Sequence, residues 1–345
     1  MLAAVFHGPN DMRVEDVATP EIADDEILVR VGANTICGTD VRVMRGEKTS
    51  GIRHPSIIGH ETAGHVAEVG RRVRGYEVGA PVAMAPVVPC RRCWCCTHGL
   101  ENVCTNDRIM GYEVDGGLSE YMRIPADAVA AGNLFVARED VPSEYLALAE
   151  PLSCCVNGQN RSQVGLDDSV LIMGAGPIGI FHLQLARLAG ADPVIVSEPN
   201  AQRREFARSL GADVVVDPMA EDLTAVVSEA THGIGADRVI VCIGRPELAN
   251  QGIEAARKGG NVNLFAGFPG QGWSEVSANL IHYKELVVTG TSNSRRADYE
   301  VALRLIESGR VDVEPMVTHR FPLDRLDDAF AAAVSGDAIK VAVLP

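Results

Sequence analysis

Aromatic side chains are sparse in this 345-residue chain, at 5% with only two tryptophans. No apolar run reaches the roughly 18 residues a membrane helix needs, so no span is expected. The opening Met1-Leu2-Ala3-Ala4-Val5-Phe6-His7-Gly8 lacks a basic segment followed by a long apolar core. An export signal is therefore not expected, and the cytoplasm is the default location. Lysine is scarce beside arginine, the net charge is −15, and no basic cluster could track a phosphate backbone. That balance disfavours nucleic acid as a partner. Internal repeats, low-complexity tracts and Ser/Pro linkers are also missing.

What is there reads as a globular enzyme: 46% hydrophobic and 22% charged, with 34 glycines. The length exceeds what one core usually supports, so two domains are expected. The texture changes near residue 152. Before it, short β-like runs such as Ile27-Leu28-Val29-Arg30-Val31 alternate with Gly and Pro turns, as in a barrel-like region. After it, strands are expected at 169–173, 193–196, 214–216, 238–242, 262–265 and 286–288. Helices are expected at 177–188 and 201–210 and between several other strands. Six short apolar strands with helical crossovers imply an α/β class and a doubly wound parallel sheet. From about Ser292, two amphipathic stretches and a β run at 339–344 are expected to pack back on the first domain.

Gly174-Ala175-Gly176-Pro177-Ile178-Gly179 is a G-x-G-x-x-G that follows an apolar strand and opens a helix. That context makes a weak pattern informative. Gly174 permits the tight turn, Gly176 lets a pyrophosphate approach the backbone, and Gly179 lets helix and strand pack. The helix N-terminus offers free N–H groups to phosphates. Glu198, about 20 residues on, ends the second strand, where an acid accepts hydrogen bonds from a ribose and repels a 2′-phosphate. The reading is NAD rather than NADP. Arg203 either flanks the adenine or is a solvated cation on its helix.

Nine cysteines include Cys90, Cys93, Cys96 and Cys104, spaced C-x2-C-x2-C-x7-C. Four thiolates so close in sequence suit a closed tetrahedral structural zinc, with a disulfide pair as the alternative. Cys95 breaks the spacing and is taken as a bystander. Cys154, Cys155 and Cys242 are taken as core residues.

Three further segments carry soft or charged residues among small and apolar neighbours: Cys37-Gly38-Thr39-Asp40, Gly59-His60-Glu61 and Glu150-Pro151. Composition alone does not join them. In order along nearly the whole chain, these segments, the cysteine lobe and the Gly174 turn resemble the zinc-containing medium-chain alcohol dehydrogenases, in their sorbitol and threonine dehydrogenase branch. The resemblance implies a GroES-like catalytic domain over 1–152 and 292–345, with its zinc lobe near 88–106. It implies a Rossmann NAD-binding domain over 153–291. It further implies a catalytic zinc held by Cys37 and His60, with Glu61 or Glu150 as third protein ligand and one position open. Thr39 would hydrogen-bond the substrate hydroxyl and Asp40 would orient the His60 ring; local turn chemistry is the alternative for both. Ile243, Ala266, Gly267 and Thr291 would approach the nicotinamide. A homotetramer is implied, with a dimer through edge pairing of cofactor domains as the fallback.

Two departures matter. Relatives in the branch commonly place a histidine five residues after the zinc cysteine, where it passes the proton out. Here that position is Arg42, which does not exchange protons near neutrality. Val43 and the Gly290-Thr291-Ser292-Asn293 segment also lack the aromatic and Arg-Tyr groups of sorbitol dehydrogenases, so a rebuilt pocket is expected. The expected reaction is oxidation of a secondary alcohol of a small polyol-like substrate to a ketone, with hydride passing to NAD. The alternatives are a threonine-like 3-hydroxy amino acid or a sugar-alcohol phosphate, for which Arg42, Arg295 or Arg296 could supply positive charge. A non-enzymatic NAD- and zinc-binding protein is the remaining alternative, disfavoured because a pure binder needs no open coordination position.

Overall fold

A computed structural model describes every residue except 269 and 271. The chain divides into two compact units: Met1–Ser153 with Asn293–Pro345, and Cys154–Ser292. The first division falls inside the helix Ala149–Ser162, one residue beyond the change of texture read from the sequence.

In the second unit six parallel strands lie in the order Val214–Val216, Val194–Ser197, Val170–Met173, Ala236–Val241, Ala256–Leu264, Val287–Gly290. The sequence runs outward from Val170–Met173 to one edge and then returns to its other side, which is the doubly wound α/β arrangement. Every residue of Val170–Met173 and Val194–Ser197 is buried, as expected for parallel strands covered on both faces. Leu171, Ile195, Val239 and Val262, all without exposed surface, centre one of the cores. Pro177–Ala189 and Ala201–Ser209 are the crossover helices. The fifth strand begins well before residue 262, because Ala256 already pairs with Ala236 ahead of an irregularity in the ladder. Gly259-Gly260 hide that start from an apolar-run reading. The sixth strand is displaced by one to two residues, to Val287–Gly290.

The first unit is mainly antiparallel. One sheet has the order Leu134–Val136, Pro81–Met84, Glu61–Val69, Ile27–Thr35, Lys340–Leu344, Val317–Pro322, and Tyr121–Ile124 also pairs with Ile27–Thr35. Along Ile27–Val31 only Arg30 is exposed. The carboxy-terminal strand joins this sheet by pairing Ala342 with Thr35. The two amphipathic stretches are the helices Arg296–Glu307 and Leu326–Val334. Among the described residues no helix is long and apolar enough to cross a membrane.

Candidate functional site

The cysteine lobe is a short loop wrapped around sulfur. Sγ atoms of Cys93 and Cys96 are 3.5 Å apart, those of Cys93 and Cys104 3.7 Å, and those of Cys90 and Cys96 4.0 Å. Four sulfurs bound at the usual Zn–S length define tetrahedron edges of about 3.8 Å, so the cage fits zinc. All nine cysteines are unbridged, and these sulfur separations are far longer than a disulfide bond. Backbone N–H groups point at the sulfurs, from Cys93 to Cys90, from Cys96 to Cys93, and from Cys90 and Asn106 to Cys104. These donors favour thiolate: N–H groups of Cys96 and Thr105 pull the Cys93 thiol down to about 5. Burial and its sulfur neighbours push Cys96 up to about 12, so the cluster shares protons unevenly until a cation replaces them.

A second donor set gathers in the same unit. Ligand atoms of Cys37, His60 and Glu61 all lie within 4.8 Å of one another. Cys37 caps the helix Gly38–Met44, its sulfur accepting from the Thr39 N–H at 3.4 Å. Asp40, fully buried, accepts the Cys37 N–H through Oδ2 at 2.8 Å, and its Oδ1 lies 3.3 Å from His60 Nδ1. One carboxylate therefore braces the Cys37 turn and lies beside the His60 ring, although its Oδ1 and the ring Nδ1 form no hydrogen bond with any described residue. Thr39, half-buried, follows in the same turn. His65, further along the strand Glu61–Val69, is not in the donor set.

Glu61 is the carboxylate the fold brings into this set; Glu150, at the start of the helix Ala149–Ser162, is not among the gathered donors. Its charge nevertheless acts on Tyr112, Tyr299 and Lys340, so it stands in the same neighbourhood. Glu61 Oε2 is held by Thr35 Oγ1 and Lys340 Nζ, and Lys340 also donates to the Ile36 carbonyl at 3.0 Å. Its other oxygen, Oε1, is buried with no hydrogen-bond partner among the described residues. An orphaned carboxylate oxygen beside a thiol and an imidazole fits a divalent cation.

The local field agrees. Burial opposes a charge on His60, yet Tyr112, Asp40 and Cys37 outweigh it and raise its proton affinity well above the usual range. Burial likewise works against the Lys340 ammonium, but Glu61 and Cys37 raise it. Tyr112 packs edge-on against His60, with centroids 5.4 Å apart, and burial holds its hydroxyl protonated well above neutrality.

Lys340, Thr35 and Tyr112 escaped the sequence reading. The only local signal for Lys340 is a lone cation inside an otherwise apolar β run. Conversely, two of the three arginines considered for phosphate are engaged: Arg295 grips Asp298 with two side-chain bonds, and Arg296 donates to the Gly132 carbonyl and stacks on Phe135.

The second unit carries the glycine turn. Gly174 has φ +110°, which a side chain rarely adopts. A Cβ on Gly179 would fall 1.8 Å from the Gly174 carbonyl oxygen, whereas one on Gly176 would meet nothing within 4 Å. The first contact explains close helix packing; the open face leaves the helix N-terminus, with Pro177 and Ile178 in its first turn, approachable by a phosphate. Glu198 is buried, accepting from Ala175 N at 2.8 Å and Asn200 N at 2.9 Å. Arg203 lies half-buried in the first turn of Ala201–Ser209. Ile243 lies against Gly174. Ala266 and Gly267 follow the fifth strand, and Thr291, just past the sixth, hydrogen-bonds Asn263 at 2.9 Å.

Alcohol oxidation at a metal, with hydride passed to a dinucleotide, is the class of chemistry these two units are equipped for. An alcohol dehydrogenase GroES-like domain matches residues 23–133, and a zinc-binding dehydrogenase domain matches residues 177–308. L-threonine 3-dehydrogenase of Pyrococcus furiosus is 36% identical over 330 residues, 94% of this chain and 93% of that protein. D-arabitol-phosphate dehydrogenase of Enterococcus avium is 31% identical, covering 97% and 94%. A Sinorhizobium meliloti structure described as a zinc-binding dehydrogenase bound to NADP superposes with TM-score 0.94 at 33% identity, over 100% of this chain and 99% of that one. The chain belongs to the zinc-dependent medium-chain alcohol dehydrogenase family. It is a dehydrogenase; its substrate is not fixed by kinship.

Proposed function

We propose that the protein oxidises a secondary alcohol of a small, polar, polyol-like substrate to a ketone, with NAD as hydride acceptor. The observation that carries this is the convergence of Cys37, His60 and Glu61, with an unpartnered Glu61 oxygen. In this reading these three side chains hold the catalytic zinc, Glu150 is the alternate carboxylate, and Cys90, Cys93, Cys96 and Cys104 hold a structural zinc. A zinc so held supplies a Lewis acid that lowers the pKa of the substrate hydroxyl. Asp40 fixes the His60 ring through Nδ1, and Thr39 takes the hydroxyl proton in a hydrogen bond and hands it on. Arg42 leaves no histidine to receive it, so water or the cofactor ribose completes the exit.

Gly176 offers the approach for the pyrophosphate, and Glu198 accepts ribose hydroxyls with lone pairs not used by Ala175 and Asn200. A carboxylate there opposes a 2′-phosphate, which supports NAD even though one similar structure holds NADP. A threonine-like 3-hydroxy amino acid is the second reading, favoured by 36% identity to a threonine dehydrogenase. Val287 and Val288, exposed on the last strand of the parallel sheet, support a dimer by edge pairing, within a tetramer.

Metal analysis and NADH formation test this together. Cys37→Ser should lose one zinc equivalent and turnover while still binding NAD. Glu198→Ala should raise NADP use relative to NAD. Full activity in Cys37→Ser would end the metal reading; an unchanged cofactor ratio would remove Glu198 from its role.

A further inference from the structure

We propose that the alcohol substrate carries an anionic group, a carboxylate or a phosphate, recognised by Lys48 with support from Arg42. This rests on the reading above and names its substrate class. The Tyr112 ring that packs edge-on against His60 also receives Lys48, whose Nζ lies 4.7 Å from the ring centroid. Two contacts therefore connect the zinc ligand to a cation. Cys37 caps the helix Gly38–Met44, and the chain beyond it folds back so that Glu47 and Lys48 N–H groups both donate to the Arg42 carbonyl. That turn brings two like charges together. Partial burial and then the nearby Arg42 charge both lower the Lys48 ammonium's proton affinity, against a weaker opposing effect of Glu113.

A half-buried pair of cations is unfavourable unless an anion joins them. Among the described residues neither Lys48 nor Arg42 forms an ion pair. Glu113 is exposed, and its carboxylate accepts the Ile109 N–H at 2.9 Å. The Lys48 ammonium gives one proton to the Ser50 carbonyl at 3.1 Å and turns toward the Tyr112 face, which leaves donor capacity for a ligand. The chain has four lysines, and two belong to this site. Lys340 is neutralised by Glu61; Lys48 is not neutralised by any carboxylate among the described residues. A neutral polyol would gain little from such a charge, whereas an anion gains a charge-assisted hydrogen bond.

The test uses matched alcohols with the zinc-loaded protein and NAD: 3-hydroxybutyrate against 1,3-butanediol, and arabitol phosphate against arabitol, with threonine as a zwitterionic arm. The anionic member should have the higher kcat/KM in at least one pair, and the pair that responds tells carboxylate from phosphate. Lys48→Gln should lower the anionic-to-neutral ratio about tenfold, chiefly through KM, and Lys48→Arg should recover most of it. Calorimetric titration of the anionic probes without NAD reads the same site without turnover, and their affinity should fall with added salt and in Lys48→Gln. If Lys48→Gln does not fold, Lys48→Arg and the salt dependence in the parent decide.

Preference for the neutral members, or an anion affinity indifferent to Lys48 and salt, overturns the proposal. Oxidation of neutral alcohols with no Lys48 effect sinks it alone and leaves the dehydrogenase reading intact. Failure to oxidise any alcohol sinks that reading instead, while the calorimetry still judges Lys48.

Discussion

Lys340 and Glu61 form an ion pair in the interior of the first unit, their side chains only 4% and 1% exposed. The two residues are 279 positions apart, brought together because the carboxy-terminal strand pairs with Ile27–Thr35 and Thr35 in turn pairs with Glu61. One Glu61 oxygen is thereby fixed by Lys340 and Thr35 while the other is buried without a hydrogen-bond partner among the described residues. On the proposed reading the pair positions a metal donor more than it stabilises the fold, since burying two charges largely offsets their attraction.

Breaking it should be costly. Lys340→Met leaves a buried carboxylate uncompensated, and a loss of about 3–5 kcal/mol in urea unfolding is expected for the zinc-free protein. Adding Glu61→Gln to Lys340→Met should restore much of that loss. With zinc present the loss should shrink, because a divalent cation takes over the compensation. Equal unfolding midpoints for parent and Lys340→Met, both without zinc, would refute the coupling.

The cysteine lobe should behave as an independent metal site. Cys93 is the thiol most readily ionised by its surroundings, so Cys93→Ser removes the best ligand. Zinc content should drop by one equivalent, and the melting temperature should fall because structural zinc binding adds directly to folding free energy. The donor set at Cys37 should keep its zinc. Retention of the full zinc content in Cys93→Ser would mean the lobe is held by packing rather than by metal.

How legible a site is in sequence follows from how local its forces are. The Gly174–Gly179 turn is readable because backbone geometry and one close contact, Gly179 to the Gly174 carbonyl, act within six residues. The cysteine lobe was readable for the same reason, its four sulfurs lying within one loop. Choosing between Glu61 and Glu150 was not local: it depends on strand pairing in one case and on where a helix begins in the other. Lys340 and Tyr112 were invisible because each looks ordinary in its own segment, and only tertiary packing places them beside Glu61 and His60. Arg42 stands out in the sequence as a departure from the branch, whereas its neighbour Lys48 is brought to it only by the folded turn.

Gly176 and Gly179 should respond to alanine in opposite ways. A methyl group at 179 collides with backbone, so Gly179→Ala should destabilise the second unit by about 1–3 kcal/mol. A methyl at 176 enters open space, so Gly176→Ala should unfold at the parent's midpoint yet bind NAD at least several-fold more weakly. Fluorescence titration with NADH and urea unfolding separate the two effects. Normal NADH affinity in Gly176→Ala would show that the pyrophosphate approaches elsewhere.

His182 supplies a pH test in the second unit. It lies in the helix Pro177–Ala189, wholly buried against the Phe265 ring at 4.7 Å, with Gln159 Nε2 at 3.1 Å from Nδ1. Burial lowers its pKa to about 3, so the folded protein keeps the ring neutral. In the unfolded chain the same ring takes a proton near pH 6.5. Below that pH the unfolded state binds a proton the folded state refuses. His182's contribution is therefore fully present above about pH 6.5 and declines by about 1.4 kcal/mol per pH unit down to about pH 3. Other groups titrate over the same range, but they cancel in a comparison with His182→Leu. Urea unfolding of parent and variant at pH 7, 6 and 5 should show the variant losing less stability on acidification, by about 2 kcal/mol at pH 5. Parallel profiles would mean that water reaches the imidazole and that its neighbours do not enforce the neutral form.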